Sequence, residues 1–258
     1  MGSYLNLRGH DMWSIEWANK GDALVLLHGG LSATEDWEKY ILPAVEESFH
    51  VFAYDRTGQG RTADQTGSLH FAFQTKEAIA YLEDVVKEPA HLIGWSDGGV
   101  IALMVALERP DLVRSIVAIG ANYHYEHGGE AIALWEISDE DRLEHAERSP
   151  DRPDALDSKV ARMWAIWNTE PTISLKDLGE ITCPTLILAS DDEAFSFAHI
   201  TSMYEAIPLG QLAIVPGTSH YVIKEKPELT QAIIKDFLGN LAPPQTRQPV
   251  RRKSFRTS

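Results

Sequence analysis

The segment Gly94-Trp95-Ser96-Asp97-Gly98 has the form G-x-S-x-G. It lies between an apolar run, His91–Gly94, and an apolar helical pattern, Gly98–Leu107, which is the strand-to-helix context that lets a serine act as a nucleophile. A turn that sharp holds Ser96 in a strained conformation, and side chains at the two flanking positions would clash. The Ser96 hydroxyl is then expected at the carboxyl edge of a sheet, beside the positive end of a helix. No G-x-G-x-x-G occurs, so a dinucleotide site is not expected at this turn.

A serine hydroxyl is a weak nucleophile and needs a base oriented by an acid. In this context the chain order is serine, acid, histidine. Asp191-Asp192 follows the apolar run Thr185–Ala189, and His220 follows Gln211–Val215 in Gly217-Thr218-Ser219-His220. Both fall in loops after strands, at the edge where α/β sheets place their sites. His220 is expected as the base and Asp192 as the acid, with Asp191 capping the next helix or facing solvent. The oxyanion of a tetrahedral intermediate needs two N–H donors. One is expected from the Asp97 amide and the other from Gly30 or Leu31, in the glycine-rich turn His28-Gly29-Gly30-Leu31. Trp95 either walls an acyl pocket or packs beneath the turn.

These residues must be positioned by the rest of the chain. Leu5–Leu7 and Met12–Trp17 predict a hairpin. Ala23–Leu27, Val51–Tyr54, His91–Gly94, Ser115–Ile119, Thr185–Ala189 and Gln211–Val215 predict strands whose continuous apolarity suits burial on both faces. Helices are expected over Glu35–Val45, Phe73–Lys87, Gly98–Leu107 and Lys224–Leu238. The alternation predicts an α/β protein with a doubly wound, mostly parallel sheet. Between Gly120 and Thr185 the rhythm breaks, with helical patterns at Ala131–Ile137, Asp139–Glu147 and Leu156–Trp167. A connection this long is usually functional. Its Trp135, Trp164, Trp167 and Met163 are expected to roof a substrate pocket or to form the segment's own small core. Arg56 and Arg61 are expected to brace the loop after Val51–Tyr54 through carboxylates, or to touch substrate.

Together, His28-Gly29-Gly30, Asp55-Arg56-Thr57-Gly58-Gln59-Gly60-Arg61-Thr62, Gly94-Trp95-Ser96-Asp97-Gly98-Gly99, Asp192 and His220 resemble the α/β-hydrolase superfamily over essentially Leu5 to Leu238. The elbow string, with Gly120-Ala121-Asn122 after the next strand, is most similar to the biphenyl-hydrolase-like serine esterases, the valacyclovir hydrolase group. The resemblance implies an α/β-hydrolase fold with a helical cap inserted at about residues 121–180, nucleophile Ser96, acid Asp192 and base His220. In most members the acid stands two residues after a small, glycine-like position; Ala189-Ser190-Asp191-Asp192 has alanine there and a doubled aspartate. Dehalogenases and epoxide hydrolases of the superfamily carry an aspartate at the elbow. Asp97 cannot take that place, because a one-residue shift puts Trp95 where a glycine must be. The first expectation is a small carboxylic ester cleaved through an acyl-enzyme. A C–C bond hydrolase, a lactonase, a haloperoxidase side activity and a ligand-binding receptor with little turnover stand behind it. No metal or organic cofactor is implied. Acids near the site in that group favour substrates bearing an amine. The ten acids of Glu126–Asp154, against three arginines, are either a solvated face or an attraction for cationic and neutral esters.

Composition sets the outer limits. The chain has 258 residues, 44% hydrophobic and 24% charged, which excludes a disordered or collagen-like chain. One domain is expected over residues 1–241, followed by a flexible basic tail over 242–258. The single cysteine, Cys183, excludes a disulfide framework and a Cys-pair zinc site, and reads as a buried small hydrophobe. The longest apolar run, Val100–Leu107, is too short to cross a bilayer, and the first residues lack a signal core, so a cytoplasmic protein is expected. Net charge is −15, although the last seventeen residues hold five bases and no acid. The body is therefore more acidic still and repels phosphate backbones, so neither nucleic acid nor a membrane surface is an expected partner. Oligomeric state is not legible.

Overall fold

The computed structural model describes residues 2–127, 136–242 and 246–250. The chain opens with the expected hairpin, β1 (Ser3–Leu7) and β2 (His10–Trp17), turned through Arg8 and Gly9 at φ 50° and 92°. The apolar runs then form β3 (Ala23–Leu27), β4 (His50–Tyr54), β5 (Ala90–Trp95), β6 (Val113–Ile119), β7 (Thr185–Asp192) and β8 (Gly210–Ser219). Their order in the sheet is β1-β2-β4-β3-β5-β6-β7-β8; β2 pairs antiparallel with β1 and β4, and every other pair is parallel. All residues of β3 and β5 are buried, because helices cover both faces.

The helices are α1 (Glu35–Tyr40), α2 (Leu42–Val45), α3 (Phe71–Tyr81), α4 (Asp97–Glu108), α5 (Asp139–Arg148), α6 (Ala155–Trp167), α7 (Leu175–Leu178), α8 (Phe197–Ala206), α9 (Val222–Glu225) and α10 (Pro227–Gly239). On one face Trp37 and Ile41 pack with Ile234 and Phe237 of α10. On the other, α3 and α4 pack with Met163 and Ile166 of α6 and Ile200 and Met203 of α8.

Several local expectations are corrected. The helix over Glu35–Val45 divides at Ile41, since Pro43 has no N–H for the Lys39 carbonyl. Pro227 likewise separates α9 from α10. The helix predicted to Lys87 ends as a π-turn, Leu82–Val86, with Lys87 left-handed at φ 64°. Helix α8 lies between two strands where none was expected; Ser196 caps it by accepting from the His199 amide, and its mix of aromatic and β-branched residues conceals it. Cys183 is only partly buried, and burial raises its thiol pKa to about 11. Of the predicted helix Ala131–Ile137, residues 131–135 lie outside the described residues, and 136 and 137 are not helical.

The segment between β6 and β7 is fastened to the loop after β4. Glu170 accepts from the Phe71 amide at 3.0 Å and pairs with His70 at 2.7 Å. Asp151 accepts from the Asp64 amide at 3.1 Å and pairs with the buried Lys159 at 2.7 Å, and Arg162 pairs with Asp64. No helix among the described residues is long and apolar enough to cross a membrane.

Candidate active site

Strand β5 runs directly into Ser96, which sits at φ 54°, ψ −120° ahead of α4. Only glycine fits two residues before it and two residues after it. A Cβ at Gly94 would strike the Gly98 carbonyl, and one at Gly98 would strike the Leu27 carbonyl. The Ser96 amide donates to the Ile119 carbonyl at 2.8 Å, which pins the turn to β6. Ser96 Oγ lies 3.0 Å from His220 Nε2, and His220 Nδ1 lies 2.6 Å from Glu193 Oε1. With Nδ1–H donating to the carboxylate, Nε2 is free to accept the serine proton.

The acid beside His220 is therefore Glu193, not Asp192. Asp192 is exposed at the cavity rim, and Asp191 accepts from the Thr218 amide at 3.1 Å. A register shift between Ser190 and Asp192 turns the end of β7, so that the next residue points inward. The extra methylene of glutamate then spans the gap to the imidazole. The Glu193 side chain is 1% exposed and fully partnered, accepting also from the Ala194 amide at 2.8 Å and Ser190 Oγ at 3.0 Å. Burial alone would raise its pKa, but the hydrogen bonds and the imidazole outweigh it and hold the carboxyl below its ordinary value. Gly120, at φ 55°, lets the pair approach: a Cβ there would meet His220 Nδ1 at 3.1 Å. The sequence signal for it is the run of three acids, Asp191-Asp192-Glu193, whose third member has the longer side chain.

The two candidates for the loop donor separate in the structure. The Leu31 amide is taken by Gln59 Oε1 at 2.7 Å. The Gly30 amide, like that of Asp97 at the first position of α4, donates to no described residue. Gly30, Asp97 and Ser96 line the same cavity.

A cavity of about 520 Å³ opens onto Ser96 and His220. Trp95 does both things expected of it: it packs in the core beneath the turn and lines the cavity, and its Nε1 donates to the His220 carbonyl at 3.0 Å. Trp167 lines the cavity and donates to Asp97 Oδ1 at 3.0 Å. Trp164 is outside the lining and stands edge-on to Trp167, and Met163 is buried in the main core rather than in the roof. Trp135 lies outside the described residues. Arg61 does pair with a carboxylate, that of Glu35, whereas Arg56 holds carbonyl oxygens instead. Burial raises the Asp97 carboxyl pKa against the pull of Arg56 and the Trp167 N–H. Among the described residues no three His, Cys, Asp or Glu side chains form a metal-binding group.

Beneath the loop, Glu77 is buried and accepts from the Thr57 amide and hydroxyl. Burial pushes its pKa up to about 7. A raised carboxylate pKa favours folding at acid pH, and that contribution is lost as pH rises through the folded value. Glu77→Gln is therefore expected to gain about 2–3 kcal/mol of stability relative to wild type between pH 5 and pH 8, read from urea midpoints. A difference between the two proteins that does not change with pH would refute the assignment.

The strand order, the elbow and the hydrogen-bonded series at the carboxyl edge are those of an α/β hydrolase. The chain belongs to the Alpha/beta hydrolase family, whose model matches residues 24–232. A pyrrolizixenacetamide deacetylase of Xenorhabdus hominickii is 32% identical over 102 residues, 40% of this chain and 38% of that protein. A 2-hydroxy-6-oxononadienedioate/2-hydroxy-6-oxononatrienedioate hydrolase of Comamonas testosteroni is 24% identical over 86% of this chain and 90% of its own. A crystal structure of a serine hydrolase involved in carbazole degradation shares the fold, with a TM-score of 0.75 at 19% identity over 93% of this chain and 98% of that one.

Proposed function

We propose that this chain is a serine hydrolase that cleaves small carboxylic esters through an acyl-enzyme on Ser96. The observation that carries the reading is the series Ser96 Oγ, His220, Glu193, at 3.0 Å and 2.6 Å. His220 Nε2 takes the hydroxyl proton as Oγ attacks the ester carbonyl, and the Glu193 carboxylate stabilises the imidazolium that forms. The Gly30 and Asp97 amides receive the oxyanion. Collapse expels the alcohol with the proton from His220. The same imidazole then activates the water that releases the acid and restores Ser96. The helical segment between β6 and β7 serves as a cap, bringing Leu156 and Trp167 over the cavity.

The same series supports amide or C–C bond cleavage, and the relatives include a pyrrolizixenacetamide deacetylase and a 2-hydroxy-6-oxononadienedioate hydrolase. Charge favours a neutral or cationic substrate. Acidic side chains in the cavity lining outnumber lysine and arginine eight to three, so a dianionic substrate meets repulsion that a neutral or cationic ester does not. Labelling with a fluorophosphonate is expected to modify Ser96 and to be blocked by a turned-over ester. In a matched panel, an amino-bearing ester is expected to exceed its carboxylate counterpart roughly tenfold in kcat/KM at low salt, with the gap narrowing at high salt. No label on Ser96 would sink the mechanism, and equal rates across the panel would sink the charge preference.

A further inference from the structure

Arg56 is 1% exposed beneath the loop after β3, and among the described residues it forms no ion pair. A buried guanidinium is costly unless its donors are used. Nη2 donates to the His28 carbonyl at 2.9 Å and the Gly29 carbonyl at 2.7 Å, and Nη1 donates to Gln74 Oε1 at 3.0 Å. Gln74 is itself fixed, because its Nε2 donates to the carbonyls of Thr57 and Ser68. His28 adds a second hold on Gly29: its Nδ1 donates to that carbonyl at 2.8 Å, while its Nε2 accepts from the Arg56 amide at 3.0 Å.

The Gly29–Gly30 peptide is trans, so its C=O and N–H point in opposite directions. With the Gly29 oxygen drawn down onto the guanidinium, the Gly30 N–H is turned away from it. Gly30 lines the cavity onto which Ser96 opens. A cation on the carbonyl oxygen also polarises the peptide, which strengthens its N–H as a donor.

We propose that Arg56 is the positioning residue of the oxyanion-binding loop: by clamping the His28 and Gly29 carbonyls it aims the Gly30 N–H at the charge that develops on the substrate. The inference rests on the Ser96 hydrolase reading. Arg56 touches no substrate atom in this scheme, and its effect belongs to the transition state rather than to binding.

The test compares wild type, Arg56→Met, Arg56→Lys and Gln74→Leu on p-nitrophenyl acetate. Exhaustive fluorophosphonate titration counts the competent sites. A trifluoromethyl ketone, which adds to a serine hydroxyl as a stable oxyanion, reports on the hole. Arg56→Met is expected to lose about 30- to 100-fold in kcat per titrated site, a little less than the removal of a whole oxyanion donor, with KM changed less than about threefold. Ketone affinity should fall in parallel. Arg56→Lys should recover part of the loss, because its ammonium keeps the charge and N–H donors but lacks the planar fork that holds the carbonyls through one nitrogen and Gln74 through the other. Gln74→Leu keeps the cation and loosens its anchor, so its kcat should fall about three- to tenfold; it answers the question if Arg56→Met does not fold. Unchanged kcat per titrated site in Arg56→Met, or in Gln74→Leu and Arg56→Lys where the first is unfolded, overturns the proposal. So does a loss of kcat with ketone affinity intact. Turnover that survives Ser96→Ala in an otherwise wild-type chain defeats the underlying reading instead, and that control is independent of the Arg56 variants.

Discussion

Ser96→Ala is expected to lower kcat on any ester substrate about 10⁵- to 10⁶-fold, with the fold and melting temperature close to wild type. The size of the effect follows from the geometry. In the proposed mechanism the hydroxyl 3.0 Å from His220 Nε2 is the atom that becomes covalently bonded, and alanine leaves no group there to replace it. What survives should be the small acceleration from binding and from the Gly30 and Asp97 amides. Because the serine and the histidine act as one unit, Ser96→Ala/His220→Ala should be no worse than either single change. Steady-state hydrolysis, with a pre-steady-state burst for the wild type, reads all of this. A Ser96→Ala enzyme within tenfold of wild type would show that another group or a bound water does the chemistry.

Glu193→Gln should cost about 10³- to 10⁴-fold in kcat, while Asp192→Asn and Asp191→Asn stay within about threefold. The glutamine keeps the volume and can still accept from the Ala194 amide, which lies 2.8 Å from Oε1. That same oxygen can still accept from His220 Nδ1–H, but the neutral amide carries no negative charge to stabilise the imidazolium that forms as Nε2 takes the serine proton. Stability gives a second readout of the same group. The native environment holds the Glu193 pKa below its ordinary 4.5 despite burial. A depressed carboxylate pKa stabilises the fold above the unfolded value, and the contribution is lost as pH falls through the folded one. Wild type should therefore lose stability faster than Glu193→Gln as pH drops below about 4.5. If Asp192→Asn carries the large loss and Glu193→Gln the small one, the acid has been misplaced.

The elbow and the base were legible because their signals are local. Gly94 and Gly98 are demanded by carbonyls that would collide with any Cβ, and a histidine following the last apolar run has few other places to go. The alternation of apolar runs with helical patterns likewise dictates a parallel sheet, since strands buried on both faces need helices on both sides. Ten residues of α8 escaped because their aromatic and β-branched side chains do not repeat as an amphipathic helix should.

The sequence by itself thus determined the fold, the serine at the elbow and the histidine that faces it, through periodicity and through backbone space that only glycine can enter. Tertiary structure alone decided which of three consecutive acids reaches that histidine and which loop amide stays open. The first depends on one register shift at the end of β7 and on the reach of one extra methylene. The second depends on Gln59, twenty-eight residues further along, closing its carbonyl onto Leu31. Distances between side chains on separate strands are set by how the whole sheet twists and packs, and no short stretch of sequence encodes them.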